Sequence, residues 1–220
     1  MNILVVGGSS GLGLALGQQL AKKGNKVVVT GRKDPKDKTV EFRNFDLTGL
    51  NLAKEIDKFL ETLPKIESLY YVAGFYQGGR VTDLSTKQIE DMLSVGGRGL
   101  ILFVRALLAK QGGLKELVTI TSTSQWTPRK LEPIYNFVKA GAGQFSSGLA
   151  EDGRIAKVLV AGPAGMRTAF WNGVQRDDLD SMLDKAWVAE QILLASKSKF
   201  RFKFIKILRE HARVEEAEKR

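Results

Sequence analysis

The sequence predicts an α/β fold in which a single doubly wound parallel sheet carries helices on both faces. Short apolar or β-branched runs alternate along all 220 residues with longer segments whose apolar residues recur at helical spacing. Parallel strands need such crossovers, because the chain must return to the same edge before each new strand. No internal repeat, low-complexity tract or linker interrupts the alternation. We therefore expect one domain over residues 1–208, followed by a charged C-terminal tail at 209–220.

Seven segments have the length and composition of strands. They cover 2–6, 26–30, 40–45, 68–72, 117–121, 155–160 and 200–208. In the last of them phenylalanine alternates with lysine and arginine, which predicts an edge strand with one buried and one wet face. Lysines on the wet face would discourage aggregation through that edge.

Five segments have the periodicity of helices. They cover 12–22, 52–63, 89–110, 135–150 and 183–196. The third contains Gly96, Gly97 and Gly99, and each glycine inside a helix costs about 1 kcal/mol relative to alanine. Three so close together predict a kink or close packing. The last dozen residues are charged and predict a further, frayed helix.

The composition excludes several kinds of site. The chain has no cysteine and one histidine, which rules out disulfides, thiolate metal sites and a cysteine nucleophile, and leaves no histidine pair for zinc. The formal net charge is +10, and residues 197–220 hold half of it, with nine Lys/Arg against four Glu. This charge fits a solvated sheet edge better than a nucleic-acid surface, so no nucleic-acid partner is predicted. A nucleic-acid-binding protein would instead lose affinity steeply with salt.

No membrane partner is predicted either. Arg105 interrupts the most apolar run, 99–109, well short of membrane-spanning length. The apolar N-terminus lacks a basic first segment, and its small residues are glycines of a motif rather than a cleavage site. We expect a cytoplasmic protein.

A glycine motif, G-x-x-x-G-x-G, links the first strand to the first helix. Glycine lets the backbone turn tightly and approach a pyrophosphate, and the following helix points its free N–H groups at the anion. The spacing resembles that of the short-chain dehydrogenase/reductase family, which implies a Rossmann-type sheet that binds a dinucleotide. The expected loop comprises Gly7, Ser9, Ser10, Gly11, Leu12 and Gly13.

The end of the second strand is where such folds choose between NAD and NADP. An acidic residue there binds the ribose 2′-hydroxyl, whereas arginine accommodates a 2′-phosphate. This chain has Arg32 and Lys33 after Thr30 and Gly31, with no acid. The pattern favours NADP(H) over NAD(H), with Arg32 and Lys33 as phosphate contacts. Alternatively, both are solubility residues of a loop.

A possible catalytic group surrounds Tyr135. Lys139 lies four residues further along the same predicted helix and therefore on the same face. Ser122 precedes Tyr135 by thirteen residues and directly follows a strand, at the sheet edge where ligands bind. The spacing matches the catalytic triad of the resembled family. Tyr135 would be the general acid in reduction, Ser122 would orient the carbonyl, and Lys139 would favour the tyrosinate. Ser124 is the first substitute if Ser122 points away.

The resemblance implies further cofactor contacts. The segment after the third strand would hold the adenine, and the segment after the sixth would hold the nicotinamide carboxamide. The segment after the fourth strand would let the protein backbone approach the cofactor closely. Lys139 would also hold the nicotinamide ribose. These contacts are expected from Asp46, Leu47, Ala73, Gly74, Pro163, Met166 and Thr168.

The chain lacks two asparagines that are usual in the family. Val72 stands where one is usual before Ala73–Gly74, and Gly96 stands where another helps a water link the lysine to solvent. Either water fills the space at Gly96 and still relays protons, or the relay is lost. These departures support an alternative hypothesis, a dinucleotide-binding regulatory or interaction module with little catalysis.

Several aromatic residues flank the predicted site. They suggest an apolar or aromatic carbonyl or alcohol as the small-molecule substrate, although aromatics equally often fill a core or a dimer interface. By resemblance, the helices containing Arg105 and Tyr135 would pair in a homodimer or homotetramer. The candidate lining residues are Phe75, Tyr76, Trp126, Phe170 and Trp171.

Overall fold

The computed structural model describes residues 1–171 and 177–220. Within these ranges the strands are β1 (Asn2–Val6), β2 (Lys26–Gly31), β3 (Glu41–Asn44), β4 (Ser68–Tyr71), β5 (Glu116–Ile120), β6 (Val158–Pro163), β7 (Phe202–Leu208) and β8 (Arg213–Lys219). They form one sheet in the order β3-β2-β1-β4-β5-β6-β7-β8. Every neighbouring pair is parallel except β7 and β8.

The described helices cover both faces of this sheet. Their bounds are α1 (Gly11–Lys22), α2 (Leu52–Glu61), α3 (Thr86–Leu93), α4 (Gly99–Gln111), α5 (Pro133–Asp152) and α6 (Lys185–Ala195). Successive residues of β1 point to opposite faces, so Ile3 and Val5 pack with α1 and α6, whereas Leu4 and Val6 pack with α2, α4 and α5. The predicted doubly wound α/β fold is confirmed.

The sheet changes its winding direction at β1. Its two neighbours are β2 and β4, so the chain builds the sheet first to one side of β1 and then to the other. The loops that leave the carboxyl ends of β1 and β4 therefore diverge and open a crevice, which is where α/β sheets bind ligands.

The glycines of the long central helix form a π-helical turn, Ser94–Arg98, between α3 and α4. The Tyr71 hydroxyl donates to the carbonyl of Val95 in this turn, 2.6 Å away. A Cβ added at Gly99 would lie 2.4 Å from that hydroxyl, and one at Gly96 would lie 2.3 Å from Cγ1 of Val138 on α5. The expected close packing is confirmed at Gly96 and Gly99, whereas a Cβ at Gly97 would meet open space. Such π turns often mark functional sites.

The C-terminal helix expected from sequence is wrong. Residues Arg213–Lys219 of the charged tail form β8, which pairs antiparallel with β7 after a turn in which His211 and Ala212 have positive φ. Glutamate, alanine and lysine are good helix formers, but helix propensity is a small preference, and the backbone hydrogen bonds offered by the edge of β7 override it.

The expected wet edge at β7 is also wrong, because β8 covers that edge. Lys203 is only 5% exposed. Its ammonium group donates to the Ser198 hydroxyl at 2.7 Å and lies 3.0 Å from the Glu216 carboxylate on β8. Part of the C-terminal basic charge, that of Lys203, is therefore buried and paired rather than exposed.

One helical run, Thr86–Gln111, has the length and apolar composition of a membrane-crossing helix, with a mean hydropathy of 1.6 in its most apolar window. The sequence predicts a helix over 89–110, and the observed run extends a little beyond it at both ends. It arises because α3, the π turn and α4 join into 26 continuous helical residues. More than half of the apolar window is buried within the protein, as in the core helix of many globular proteins.

Candidate active site

A groove of about 1490 Å³ runs along the carboxyl ends of the strands. Of the residues predicted to bind cofactor or perform catalysis, Lys33 is the exception: it is exposed and does not belong to the groove lining. The structure brings the others together along this groove. They are Gly7, Ser9, Ser10, Gly11, Leu12, Gly13, Arg32, Asp46, Leu47, Ala73, Gly74, Ser122, Tyr135, Lys139, Pro163, Met166 and Thr168.

The glycine loop forms one end of the groove and leaves no room for side chains at two positions. Gly7 has φ +84°, and a Cβ there would lie 2.6 Å from the backbone of Ala73. A Cβ on Gly13 would lie 2.1 Å from the carbonyl oxygen of Gly7. The loop therefore packs against the β4 end and the first turn of α1 at once, and the positive end of that helix faces the groove.

The end of β2 lies beside this loop. A Cβ added at Gly31 would lie 2.0 Å from the Ser9 hydroxyl, so any larger residue there would displace Ser9. Arg32 follows and lines the groove. A hydrogen bond from the Thr48 backbone, and more weakly the charge of Arg32, hold the pKa of Asp46 below its usual range. Arg32 therefore provides positive charge at the rim next to a carboxylate that stays ionised.

Ser122, Tyr135 and Lys139 meet at the other end of the groove. Ser122 directly follows β5, while Tyr135 and Lys139 lie one turn apart on α5. Ser122 and Tyr135 both line the groove, and the Ser122 side chain acts to lower the pKa of Tyr135. The Lys139 ammonium lies 5.6 Å from the centre of the Tyr135 ring and donates to the carbonyl of Ile120 at 3.1 Å. Ser124, the substitute expected if Ser122 points away, lines the same groove.

The buried site favours neutral groups. Burial, and secondarily the negative charge of Glu132, raise the pKa of Tyr135 despite the opposing effect of the Ser122 side chain. Burial also lowers the pKa of Lys139 to about 8. The expectation from sequence was a lowered tyrosine pKa with lysine and oxidised cofactor beside it. In the protein alone the direction is the opposite, because desolvation of the phenolate outweighs the other contributions.

A polar cluster beside Ser122 was missed at the sequence level. Ser122 Oγ donates to Ser124 Oγ at 3.2 Å, and Ser124 donates to a carboxylate oxygen of Glu132 at 2.7 Å. One nitrogen of Arg129 donates to Ser124 Oγ at 2.7 Å and to Glu132 at 3.2 Å. The available signal was the Arg129/Glu132 pair, three residues apart and immediately before the helix that carries Tyr135.

Several aromatic rings line the groove beside Tyr135. The Tyr76 ring lies 5.3 Å from that of Tyr135 and 5.3 Å from that of Trp171, and Phe170 stacks edge-on against Trp171 at 5.1 Å. Phe75 also lines the groove. Trp126 does not belong to the groove lining: it packs on Phe204 and fills the space over Gly162.

The sequence model of the short chain dehydrogenase family matches residues 1–179. The chain belongs to the short chain dehydrogenase family. It is an NAD(P)-dependent oxidoreductase by that membership. Within the described ranges, no group of three or more acidic or histidine side chains could hold a metal ion.

Relatives of this short chain dehydrogenase include an uncharacterized oxidoreductase of Staphylococcus saprophyticus, which is 27% identical over 164 residues, 68% of this chain and 70% of the relative. A short-chain dehydrogenase of Streptomyces avermitilis has a TM-score of 0.76 at 25% identity, covering 90% of this chain and 84% of the other. A short-chain dehydrogenase of Sphingobium yanoikuyae in complex with NADPH has a TM-score of 0.81 at 22% identity, over 93% and 86% of the two chains. At that identity the last likeness concerns the fold alone.

The two departures of this short chain dehydrogenase have different structural settings. Val72 donates its backbone N–H to the carbonyl of Val6 at 2.9 Å and packs its side chain against the core. Gly96 meets Val138 so closely that a Cβ would lie 2.3 Å away. The space at Gly96 is therefore filled by Val138, and the hypothesis that water occupies it is not supported.

Proposed function

We propose that the protein is an NADPH-dependent reductase that transfers hydride to the carbonyl of a small molecule, with Ser122, Tyr135 and Lys139 performing the proton chemistry. One observation supports this most strongly: Ser122 and Tyr135 share a single groove with the glycine loop and Arg32. The two hydroxyls would act on a reacting oxygen, whereas the glycine loop and Arg32 fit a phosphorylated dinucleotide.

The residues present fit NADP(H). Glycines at positions 7 and 13, where a Cβ would collide with backbone, allow close approach of a pyrophosphate. Gly31 and Ser9 leave little room for an acidic side chain at the end of β2, and Arg32 provides a guanidinium beside it. Lys139, Pro163, Met166 and Thr168 would hold the nicotinamide half. The bound cofactor supplies the hydride.

The chain's own residues would handle the proton. Burial raises the pKa of Tyr135, so its hydroxyl is protonated near neutral pH and can donate to the carbonyl oxygen as charge develops there. Ser122 would bind the same oxygen and fix its direction. The Lys139 ammonium, 5.6 Å from the ring, would stabilise the tyrosinate that remains.

The substrate proposed is a small carbonyl compound with a flat apolar or aromatic group. Tyr76, Phe170 and Trp171 form a continuous aromatic wall beside Tyr135. Edge-to-face contacts of this kind favour an aromatic ring over a hydrated polar chain. Arg129 and Glu132, which also line the groove, are paired with each other.

The test is a titration of the purified protein with NADPH and then with NADH, followed by turnover with a panel of aryl ketones and quinones. We expect tighter binding of NADPH and turnover that disappears in Tyr135→Phe. Binding of neither nucleotide would contradict the proposal.

A regulatory or interaction module is the second candidate, favoured by one observation. Gly96 is closed by Val138, so the asparagine of other family members has no counterpart here. This candidate expects tight NADPH binding with no turnover across the same carbonyl panel.

We also propose a homodimer that uses the outer faces of α4 and α5, and a cytoplasmic location. Ile101 on α4 is 47% exposed and Phe137 on α5 is 67% exposed. Added Cβ atoms at Gly141 and Gly148 would meet open space, so a second helix could approach α5 closely. Size measurement in solution tests the dimer, and cell fractionation tests the location.

A further inference from the structure

A series of hydrogen bonds leads from Ser122, beside Tyr135 in the groove lining, to the rim of the groove. Ser122 acts on the pKa of Tyr135 and donates to Ser124, which donates to the Glu132 carboxylate. The two measured steps are 3.2 and 2.7 Å between oxygens. The Glu132 side chain is 12% exposed and lines the groove, so its carboxylate reaches solvent.

Arg129 keeps the outer part of this series aligned. One of its nitrogens donates to both Ser124 and Glu132, and the other donates to the Thr123 hydroxyl at 2.7 Å. Guanidinium cannot lose its proton in a protein. Arg129 therefore fixes the distance between Ser124 and Glu132 without competing for the proton that they share.

Tyr135 needs a proton source because each reduction would remove its proton. Lys139 is 3% exposed, and its ammonium points to the carbonyl of Ile120. Next to it on α5, Val138 packs directly on Gly96 of the π turn. A proton that reached Tyr135 past these two residues would have to cross a packed interior, whereas Ser122 connects Tyr135 to polar side chains.

We propose that Ser124 and Glu132 return a proton to Tyr135 through Ser122 after each reduction. The inference rests on the proposed function. In the resting arrangement the serine hydroxyls donate outward to the carboxylate. When Glu132 takes a proton from solvent the donors reverse: Glu132 gives its proton to Ser124, Ser124 to Ser122, and Ser122 to the tyrosinate. Every hydroxyl and the carboxylate end as they began, with one proton moved inward.

The other charged and titratable groups near Glu132 are consistent with this role. Arg129 lies in the same loop, Tyr135 lies one helical turn away, and Tyr76 packs on Tyr135 from the segment after β4. Arg129 offsets part of the negative charge of Glu132. In the relay, Glu132 and Ser124 act on Tyr135 only through Ser122.

The test compares the first turnover with steady-state turnover, using NADPH and the flat aromatic diketone phenanthrenequinone. The first reduction uses the proton already on Tyr135, so in Ser124→Ala and Glu132→Gln its rate should fall much less than the rate of later cycles. Later cycles need the relay, so steady-state kcat should fall at least about tenfold with KM little changed, within the usual range for general acid catalysis. Thr127→Ala is the matched control, because it removes a hydroxyl from the same loop outside the groove lining.

A titration without cofactor gives an independent readout. The charge of Glu132 contributes to the raised pKa of Tyr135, so Glu132→Gln should move tyrosinate formation to lower pH. The signal is the tyrosinate absorbance that disappears in Tyr135→Phe.

The outcomes separate the two proposals. Equal loss of the first and later turnovers, or loss of neither, overturns the relay, and so does an unchanged tyrosinate titration. An unmodified protein that binds NADPH and reduces none of the carbonyl panel overturns the proposed function instead, while the titration still decides whether Glu132 is coupled to Tyr135.

Discussion

At the scale of single residues, burial decides the charges in this site. Tyr135 and Lys139 are both buried, and burial raises the pKa of the first and lowers that of the second. The site thereby keeps a protonated phenol ready to donate and a lysine whose charge depends on pH near neutrality. Arg32 has the opposite setting at the exposed rim of the groove, where a guanidinium costs little to keep charged.

Replacing Arg32 tests the choice of nucleotide. Arg32→Ala should weaken NADPH binding about 10- to 100-fold, since a hydrogen bond to a charged group contributes about 1.5–3 kcal/mol. NADH binding should change little, because NADH lacks the 2′-phosphate. Fluorescence titration of both nucleotides measures this, and Lys33→Ala, outside the groove, is the control. Equal weakening of both nucleotides would contradict the assignment.

Lys139 should make folding stability depend on alkaline pH. Its pKa falls from 10.5 in the unfolded chain to about 8 in the folded protein, so between these values the unfolded chain binds more protons. The free energy of unfolding should therefore rise from about pH 8 to pH 10. Urea unfolding across that range measures the rise, and Lys139→Met should flatten it. An identical pH dependence in the two proteins would show that Lys139 is not the cause.

At the scale of elements, the π turn between α3 and α4 couples the central helix to the catalytic one. Gly96 on the turn contacts Val138 on α5, next to Lys139 and one turn from Tyr135. Valine has one preferred rotamer in a helix, so it cannot rotate away easily. Any side chain at position 96 must therefore push the two elements apart.

Gly96→Ala should destabilise the protein by about 1–3 kcal/mol, the usual cost of overpacking a core. Gly97→Ala is a matched control, because a Cβ at Gly97 meets open space. This change should leave the free energy of unfolding unchanged or raise it by at most about 1 kcal/mol through helix propensity. Urea unfolding of the two variants measures the difference. Equal stabilities would contradict the close contact.

At the scale of the whole molecule, β8 covers the β7 edge of the sheet, whereas the outer faces of helices α4 and α5 are open for association. The β8 strand covers β7 and carries exposed charges along its length, which opposes further edge pairing. The α4 and α5 faces carry exposed Ile101 and Phe137. These surfaces favour assembly through helices rather than through the sheet edge.

Phe137→Glu should convert the proposed dimer to a monomer, because it puts a charge in the centre of an apolar contact. Light scattering after size-exclusion chromatography measures the mass. Val81→Glu, which changes an exposed apolar residue away from α4 and α5, is the control and should remain dimeric. A mass that does not change in Phe137→Glu would contradict this interface.

The sequence by itself determined the sheet, the glycine loop and the presence of Ser122, Tyr135 and Lys139 on neighbouring elements. These depend on local signals, namely residue periodicity, glycine spacing and the four-residue separation of side chains on one helix face. Tertiary structure alone decided the rest. Backbone pairing with β7 turned the charged tail into β8, burial raised the pKa of Tyr135 in the protein alone, and packing filled the space at Gly96. Contacts between residues distant in sequence, such as Lys203 with Glu216 and Gly96 with Val138, carry no local pattern, so only the folded chain reveals them.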